Sequence, residues 1–155
     1  EAIQGCMNLN PATTRIVEVG SHGHGDHINA DIIHELEKYG YTFTTIYFHR
    51  ADFPLVNSLP RWTAADKAKF SQLSGTACFS ELLSFNSPLG KIWFTPRPGH
   101  TPGSIDAVVD IQNDPANRYY LLGSATPGQG GGNCGPLSGN QETIEVHGNV
   151  VLDGK

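Results

Sequence analysis

Apolar and polar positions near the start of the chain predict a strand, a helix and a second strand. The segment TRIVEVG (14–20) is rich in β-branched residues and ends at Gly20, which favours a strand. The apolar residues that follow recur at helical spacing, and they are Ile28, Ile32, Leu36 and Tyr39. Gly40 is a helix stop, and the composition of YTFTTIYF (41–48) predicts the next strand. This order is typical of a βαβ unit, in which functional residues gather at the carboxyl ends of the strands.

The rest of the chain predicts further strands joined by turns and loops. Residues 49–63 are interrupted by prolines and predict irregular structure, whereas 64–75 has the composition of a helix. Strand patterns recur at 90–95, 104–111 and 118–123, and a closing hairpin is expected at 143–152. The segment 127–140 is rich in glycine and predicts a loop. We therefore expect an α/β fold in a single domain over residues 1–155, because this length suits one hydrophobic core.

Charge and hydropathy exclude two classes of partner. The formal net charge is −5 and the ten basic residues are scattered, which disfavours nucleic acid as a partner because its binding requires clustered Lys and Arg. No apolar run approaches the roughly 20 residues of a membrane span, so we expect no membrane partner. The expected partner is a small-molecule substrate.

The three cysteines leave the redox compartment open. Cys6, Cys78 and Cys134 are widely spaced and form no C-x-x-C pair, so they do not predict a thiolate zinc site. One disulfide with a free thiol and three buried thiols both agree with this spacing. A secreted or periplasmic location is favoured over a cytoplasmic one.

The run SHGHGDH (21–27) contains three histidines and one aspartate directly after the first predicted strand. On an extended segment the side chains of His22, His24 and Asp26 would point to the same side, and His27 would begin the helix. Imidazole and carboxylate are zinc ligands, and a catalytic zinc takes three protein ligands and keeps one position for water. The alternative is a solvated loop that happens to be rich in histidine.

A second motif, PGHTPGS (98–104), follows in the same chain, and the two motifs together resemble those of the metallo-β-lactamase superfamily of zinc hydrolases. The resemblance covers about residues 20 to 126 and implies an αββα sandwich with one or two zinc ions in a cleft between the sheet edges. The implied ligands are His22, His24 and His100 for the first metal, with Asp26 and His27 for the second. The second motif would form the tight turn that presents His100.

The chain departs from the superfamily pattern in three places. Most members carry an aspartate that bridges both metals where this chain has Ser124, although one β-lactamase subclass also has serine there. A final histidine ligand normally lies forty or more residues further on, whereas His147, a candidate that could equally be a surface histidine, follows after 23. Only 21 residues precede His22, so we expect a version of the sandwich that is short or truncated at both ends.

The resemblance implies an enzyme that uses a zinc-bound hydroxide to attack an amide or ester carbonyl, with Asp26 as the catalytic acid/base. Because serine replaces the bridging aspartate, a β-lactam is the leading substrate class. The alternatives are a thioesterase or lactonase of the same superfamily and a metal-binding domain without catalytic activity.

Overall fold

The computed structural model describes residues 9–114, 117–121, 141–144 and 150–154. Its strands are β1 (Arg15–Val19), β2 (Thr42–His49), β3 (Phe70–Leu73), β4 (Leu83–Ser87), β5 (Gly90–Pro96), β6 (Ile105–Ile111), β7 (Asn117–Leu121), β8 (Gln141–Ile144) and β9 (Val150–Gly154). Its helices are α1 (Ala30–Lys38), a 3-10 turn (Arg50–Asp52), α2 (Phe53–Ser58) and α3 (Ala64–Lys67). The α/β class predicted from the sequence is confirmed.

The strands form two sheets of different type. The first has the order β1-β2-β3 with parallel neighbours, so β1, α1 and β2 form the predicted βαβ unit. The second has the order β4-β5-β6-β7-β9-β8 with antiparallel neighbours. Tyr47 of β2 meets Phe85 of β4 edge to face, with ring centroids 6.4 Å apart, so the sheets touch through aromatic side chains. Strands were predicted correctly for β1, β2, β5, β6, β7 and the β8–β9 pair.

Helix α1 begins later, and buries a different face, than the sequence pattern predicted. It starts at Ala30, where the side chain of Asn29 caps it by accepting a hydrogen bond from the backbone N–H of Ile32. Ile28 is fully buried but precedes the helix, while Ile33 is buried and Ile32 is 48% exposed. The prediction that His27 begins the helix is therefore wrong, because the cap at Asn29 leaves residues 21–28 in bends and turns.

Two segments between β2 and β4 were predicted wrongly. Residues 53–58 form α2 although Pro54 was taken as a break; proline is tolerated here because it lies in the first turn of the helix. Residues 70–73 form β3 and not a continuing helix, because Phe70 to Leu73 pair in register with Ile46 to His49 of β2. A neighbouring strand thus overrode the local helical composition.

The core lies on the helix-covered side of the parallel sheet. Its buried residues are Ile28, Ile33, Phe43, Ile46, Phe48 and Val56. On β2 the buried apolar positions change from odd (Phe43) to even (Ile46, Phe48) because the pairing with β1 skips Thr44, which makes a bulge. Trp62 packs against this core and donates its indole N–H to the carbonyl of Val56 at 2.9 Å. Because Ile28 lies in the loop that follows β1 and belongs to this core, the core anchors that loop.

The structure also bears on the state of the cysteines and on the apolar character of the helices. Cys78, the one cysteine in the described part of the chain, is disulfide-bonded, which excludes the alternative of three free thiols. None of the helices in the described segments is both long enough and apolar enough to cross a membrane.

Candidate metal centre

The first histidine motif occupies a tightly folded loop at the carboxyl end of β1. The backbone N–H groups of His27 and Ile28 both donate to the carbonyl of His24, at 3.0 and 3.1 Å. Gly20 anchors the loop to β2 by donating to the carbonyl of Tyr47 at 2.9 Å, and a Cβ at Gly20 would lie 2.8 Å from the buried Ile28 side chain. The loop is therefore folded back on itself, and the expectation of an extended segment with alternating ligands is wrong.

The second motif forms a tight turn between β5 and β6. Arg97 donates its backbone N–H to the carbonyl of Ser104 at 2.8 Å, and the backbone N–H of Thr101 donates to the Ser104 hydroxyl at 3.0 Å. Ile105 then donates its backbone N–H to the carbonyl of Ser21 at 2.8 Å. This last bond ties the turn that carries His100 directly to the loop that follows β1.

The first ligand group, defined as His22, His24 and His100, brings together residues from both motifs. Their nearest ligand nitrogens all lie within 4.8 Å of one another, and Nδ1 of His24 is 3.0 Å from Nε2 of His100. The ring of His22 is edge-on to the other two, with centroids 4.8 and 4.6 Å away. Nitrogens bound to one tetrahedral zinc at 2.0–2.1 Å lie about 3.4 Å apart, so this set fits a metal ion. These three histidines could hold a metal ion.

The second ligand group, defined as His22, Asp26 and His27, shares one member with the first. Ser21 fixes the ring of His27 through a 3.0 Å bond between its hydroxyl and Nδ1, which leaves Nε2 for a ligand. That Nε2 lies 3.6 Å from Oδ2 of Asp26, whose side chain is 80% exposed. If His22 binds the first metal, only two described residues of this group remain for a second ion.

Two residues proposed for the second site lie outside the part of the chain that the structure describes. They are Ser124, at the position of the bridging aspartate, and His147, the candidate final ligand. Both assignments stay predictions from the sequence.

The two remaining described histidines make structural hydrogen bonds. Nε2 of His34 is 2.9 Å from Oδ2 of Asp66, and Nε2 of His49 donates to the carbonyl of Gly75 at 2.8 Å. Nδ1 of His49 accepts from the backbone N–H of Ala51, so both of its ring nitrogens are engaged. Neither residue belongs to the two ligand groups.

A buried aspartate that the sequence did not reveal lies between the two motifs. Asp52 has no exposed surface, and its carboxylate accepts from the backbone N–H groups of Gly23 and Gly103, both at 2.8 Å. The hydroxyl of Thr101 donates to the same carboxylate at 2.5 Å. The sequence did not identify Asp52 because residues 49–63 were predicted as irregular. Its partners Gly23 and Gly103 are also far away in the chain, so no local pattern links them to it.

A second carboxyl that is largely buried lies on β1, the strand that leads into the first histidine motif. Burial raises the pKa of Glu18 to about 7, an effect that a hydrogen bond from the backbone N–H of Asn29 partly offsets. Oε2 of Glu18 is buried and has no hydrogen-bond partner among the described residues. The strand that precedes the first histidine motif therefore carries a carboxyl whose pKa lies near neutral.

Comparisons with protein-family models, curated proteins and solved structures find no match to this chain. The resemblance to zinc hydrolases therefore rests on the two histidine motifs.

Proposed function

We propose that this protein is a zinc-dependent hydrolase of amide or ester carbonyls, with a β-lactam as the leading substrate class. The observation that carries the proposal is the convergence of three histidines from motifs far apart in the chain, with Nδ1 of His24 only 3.0 Å from Nε2 of His100. At this distance a hydrogen bond can join the two ring nitrogens; to bind one zinc ion, both nitrogens would present lone pairs, and each ring would carry its N–H on its other nitrogen. A solvated loop that is merely rich in histidine would not be expected to place His24 against His100.

His22, His24 and His100 would hold the zinc ion, which would supply a Lewis acid for the carbonyl oxygen and lower the pKa of its bound water towards ~7. The remaining chemistry belongs to the residues around it. Asp26 lies beside His27 with most of its carboxylate open to solvent, so its Oδ2 can accept a proton from an attacking water. Ser21 holds the ring of His27 in place and thereby keeps its Nε2 directed towards that carboxylate.

The β-lactam assignment and the number of zinc ions rest on the sequence. Ser124 and His147 are the candidate contributors to a second zinc, and Ser124 brings no negative charge to it. The disulfide at Cys78 supports a secreted or periplasmic location, since disulfides persist in oxidising compartments.

The test combines metal content with three hydrolysis assays on the same preparation. The full chain would be loaded with one and then two equivalents of zinc and offered a chromogenic β-lactam, a lactone and a thioester. The metal-free protein and the His100→Ala variant are the controls. We expect zinc-dependent β-lactam hydrolysis that both controls lack.

The other outcomes separate the competing functions. Turnover of only the thioester or the lactone would replace the substrate class and keep the hydrolase. Zinc binding with no hydrolysis would favour a metal-binding domain without catalytic activity, and absence of bound zinc would refute the metal centre itself.

A further inference from the structure

We infer that Asp52 is a positioning residue that holds the two ligand-bearing loops at the spacing a zinc ion requires. The inference rests on the proposed zinc centre and deepens it by naming the group that assembles the site. Asp52 is fully buried and lies on the turn after β2, outside both histidine motifs.

Each hydrogen bond of this carboxylate is made by a residue that lies within three positions of a proposed metal ligand in the sequence. One oxygen accepts from the backbone N–H of Gly23, the residue between His22 and His24. The same oxygen accepts from the hydroxyl of Thr101, which follows His100, and the other accepts from the backbone N–H of Gly103. One side chain thus fixes the backbone on both sides of the three-histidine group.

The two glycines in this arrangement are explained by the space that Asp52 occupies. A Cβ at Gly103 would lie 2.6 Å from Cγ of Asp52, and a Cβ at Gly23 would lie 3.0 Å from its Cβ. Neither contact leaves room for a methyl group. The loops approach so closely because both glycines let the carboxylate reach their backbone N–H groups.

An amide cannot replace the carboxylate in this position. The side chain of asparagine has the same shape but presents one acceptor oxygen and one NH₂ donor. Whichever way it is oriented, one of the two glycine N–H groups faces a donor and is left without an acceptor in a buried place. The loop that loses its bond then shifts, and the spacing of the histidine nitrogens shifts with it.

Asp66 provides a matched control elsewhere in the chain. It is also buried, and its Oδ2 receives the backbone N–H and the hydroxyl of Thr63 at 2.9 and 2.7 Å and lies 2.9 Å from Nε2 of His34. These bonds cap α3 and reach neither ligand-bearing loop. Asp66→Asn should therefore cost stability while leaving the metal centre as it is.

The experiment measures zinc affinity by competition with a chromophoric chelator, alongside thermal unfolding of the metal-free proteins. Asp52→Asn should weaken zinc binding by about 10- to 100-fold, as expected for loss of a group that orients metal ligands. Asp66→Asn should lower the unfolding temperature but keep the zinc affinity of the unmodified chain. If Asp52→Asn does not fold, Thr101→Val, which removes the hydroxyl contacts with Asp52 and Ser104 but keeps both backbone N–H bonds to the carboxylate, should still weaken zinc binding by about tenfold.

Three results would overturn the inference. Unchanged zinc affinity in folded Asp52→Asn, or in Thr101→Val where the first variant does not fold, would mean that the carboxylate only stabilises the fold. Equal weakening in Asp66→Asn would assign the effect to general destabilisation. Failure of the unmodified chain to bind zinc would instead refute the metal centre, and the inference with it.

Discussion

Two groups of ligand side chains meet at His22, and they are assembled in different ways. The first group joins two loops that are 76 residues apart in the chain, through the approach of His24 to His100. The second group takes all its members from residues 22–27, and its Asp26 and His27 are exposed, as is His100 in the first group. A buried carboxylate fixes the backbone beside the first group, whereas the hydroxyl of the half-buried Ser21 holds the ring of His27 in the second.

The two groups differ in how far their ligands are already held in place before a metal binds. Ligands whose neighbouring backbone is fixed by buried hydrogen bonds lose less conformational freedom on binding an ion than an exposed aspartate that must be ordered at that moment. The first group should therefore bind its metal more tightly. The second group also gives up His22 if the first is filled.

The largest expected effect is the loss of metal when His100 is removed. His100→Ala takes away the ligand that joins the two loops, so zinc affinity should fall by more than the about 100-fold attributed to outer-shell partners. Metal content after dialysis against a weak chelator measures this. His34→Ala, which removes a histidine that contacts Asp66, is the control and should retain its zinc. Full zinc occupancy in His100→Ala would remove the first group as the metal site.

The next effect concerns catalysis and the second group. Asp26→Asn keeps the shape of the side chain but removes its charge and its ability to accept a proton, so turnover should fall by a factor on the order of 10² to 10⁴. Zinc in the first group should be retained, because that group does not include Asp26. Asp31→Asn, at an exposed aspartate paired with Arg61, should leave turnover unchanged. Undiminished turnover in Asp26→Asn would deny this carboxylate any role as acid/base.

The contribution of Glu18 to stability and the binding of zinc should depend on pH with opposite signs. The pKa of Glu18 rises from 4.5 to about 7 in the folded protein because of burial. The stability that the protonated Glu18 carboxyl contributes is therefore complete below pH 4.5 and is lost as pH rises through 7. This loss lowers the free energy of unfolding by about 2 to 3 kcal/mol. Zinc binding has the opposite sign, since its ligands must be deprotonated.

Glu18→Gln should remove this loss of stability in the metal-free protein. Urea unfolding at pH 5 and pH 8 should show a smaller decrease for the variant than for the unmodified chain, and the difference isolates Glu18 from other titrating groups. Glu35→Gln, at an exposed glutamate that pairs with Lys38, should not change the decrease. Equal decreases in Glu18→Gln and the unmodified chain would mean that this carboxyl stays ionised at no cost.

The smallest expected effect is the difference between two zinc affinities. Titration of zinc into the metal-free protein should show a tight first event and a second that is weaker by about tenfold or more, since Ser124 brings no charge to the bridging position. His27→Ala should abolish only the second event, because His27 belongs to the second group alone. Two equally tight events would require a carboxylate that neither motif supplies.

Local patterns predicted the elements whose composition favours one type of secondary structure. The β1–α1–β2 unit and strands β5 and β6 were predicted because their β-branched composition and helical spacing are properties of each segment alone. Helix α2 and strand β3 were missed because a proline in the first turn and a neighbouring strand decided them. The buried face of α1 was wrong by one position, since the start of the helix depends on the cap at Asn29.

The sequence by itself determined which side chains could bind a metal, because imidazole and carboxylate groups are metal ligands by their own chemistry. Tertiary structure decided that His24 and His100 meet, that Asp26 stays at the exposed side, and that Asp52 joins the two loops. The physical reason is the separation along the chain of the residues that set each property. Ligand chemistry is a property of each residue, whereas the spacing of donor atoms depends on hydrogen bonds between segments about 50 residues apart, such as Gly103 to Asp52, which no local pattern encodes.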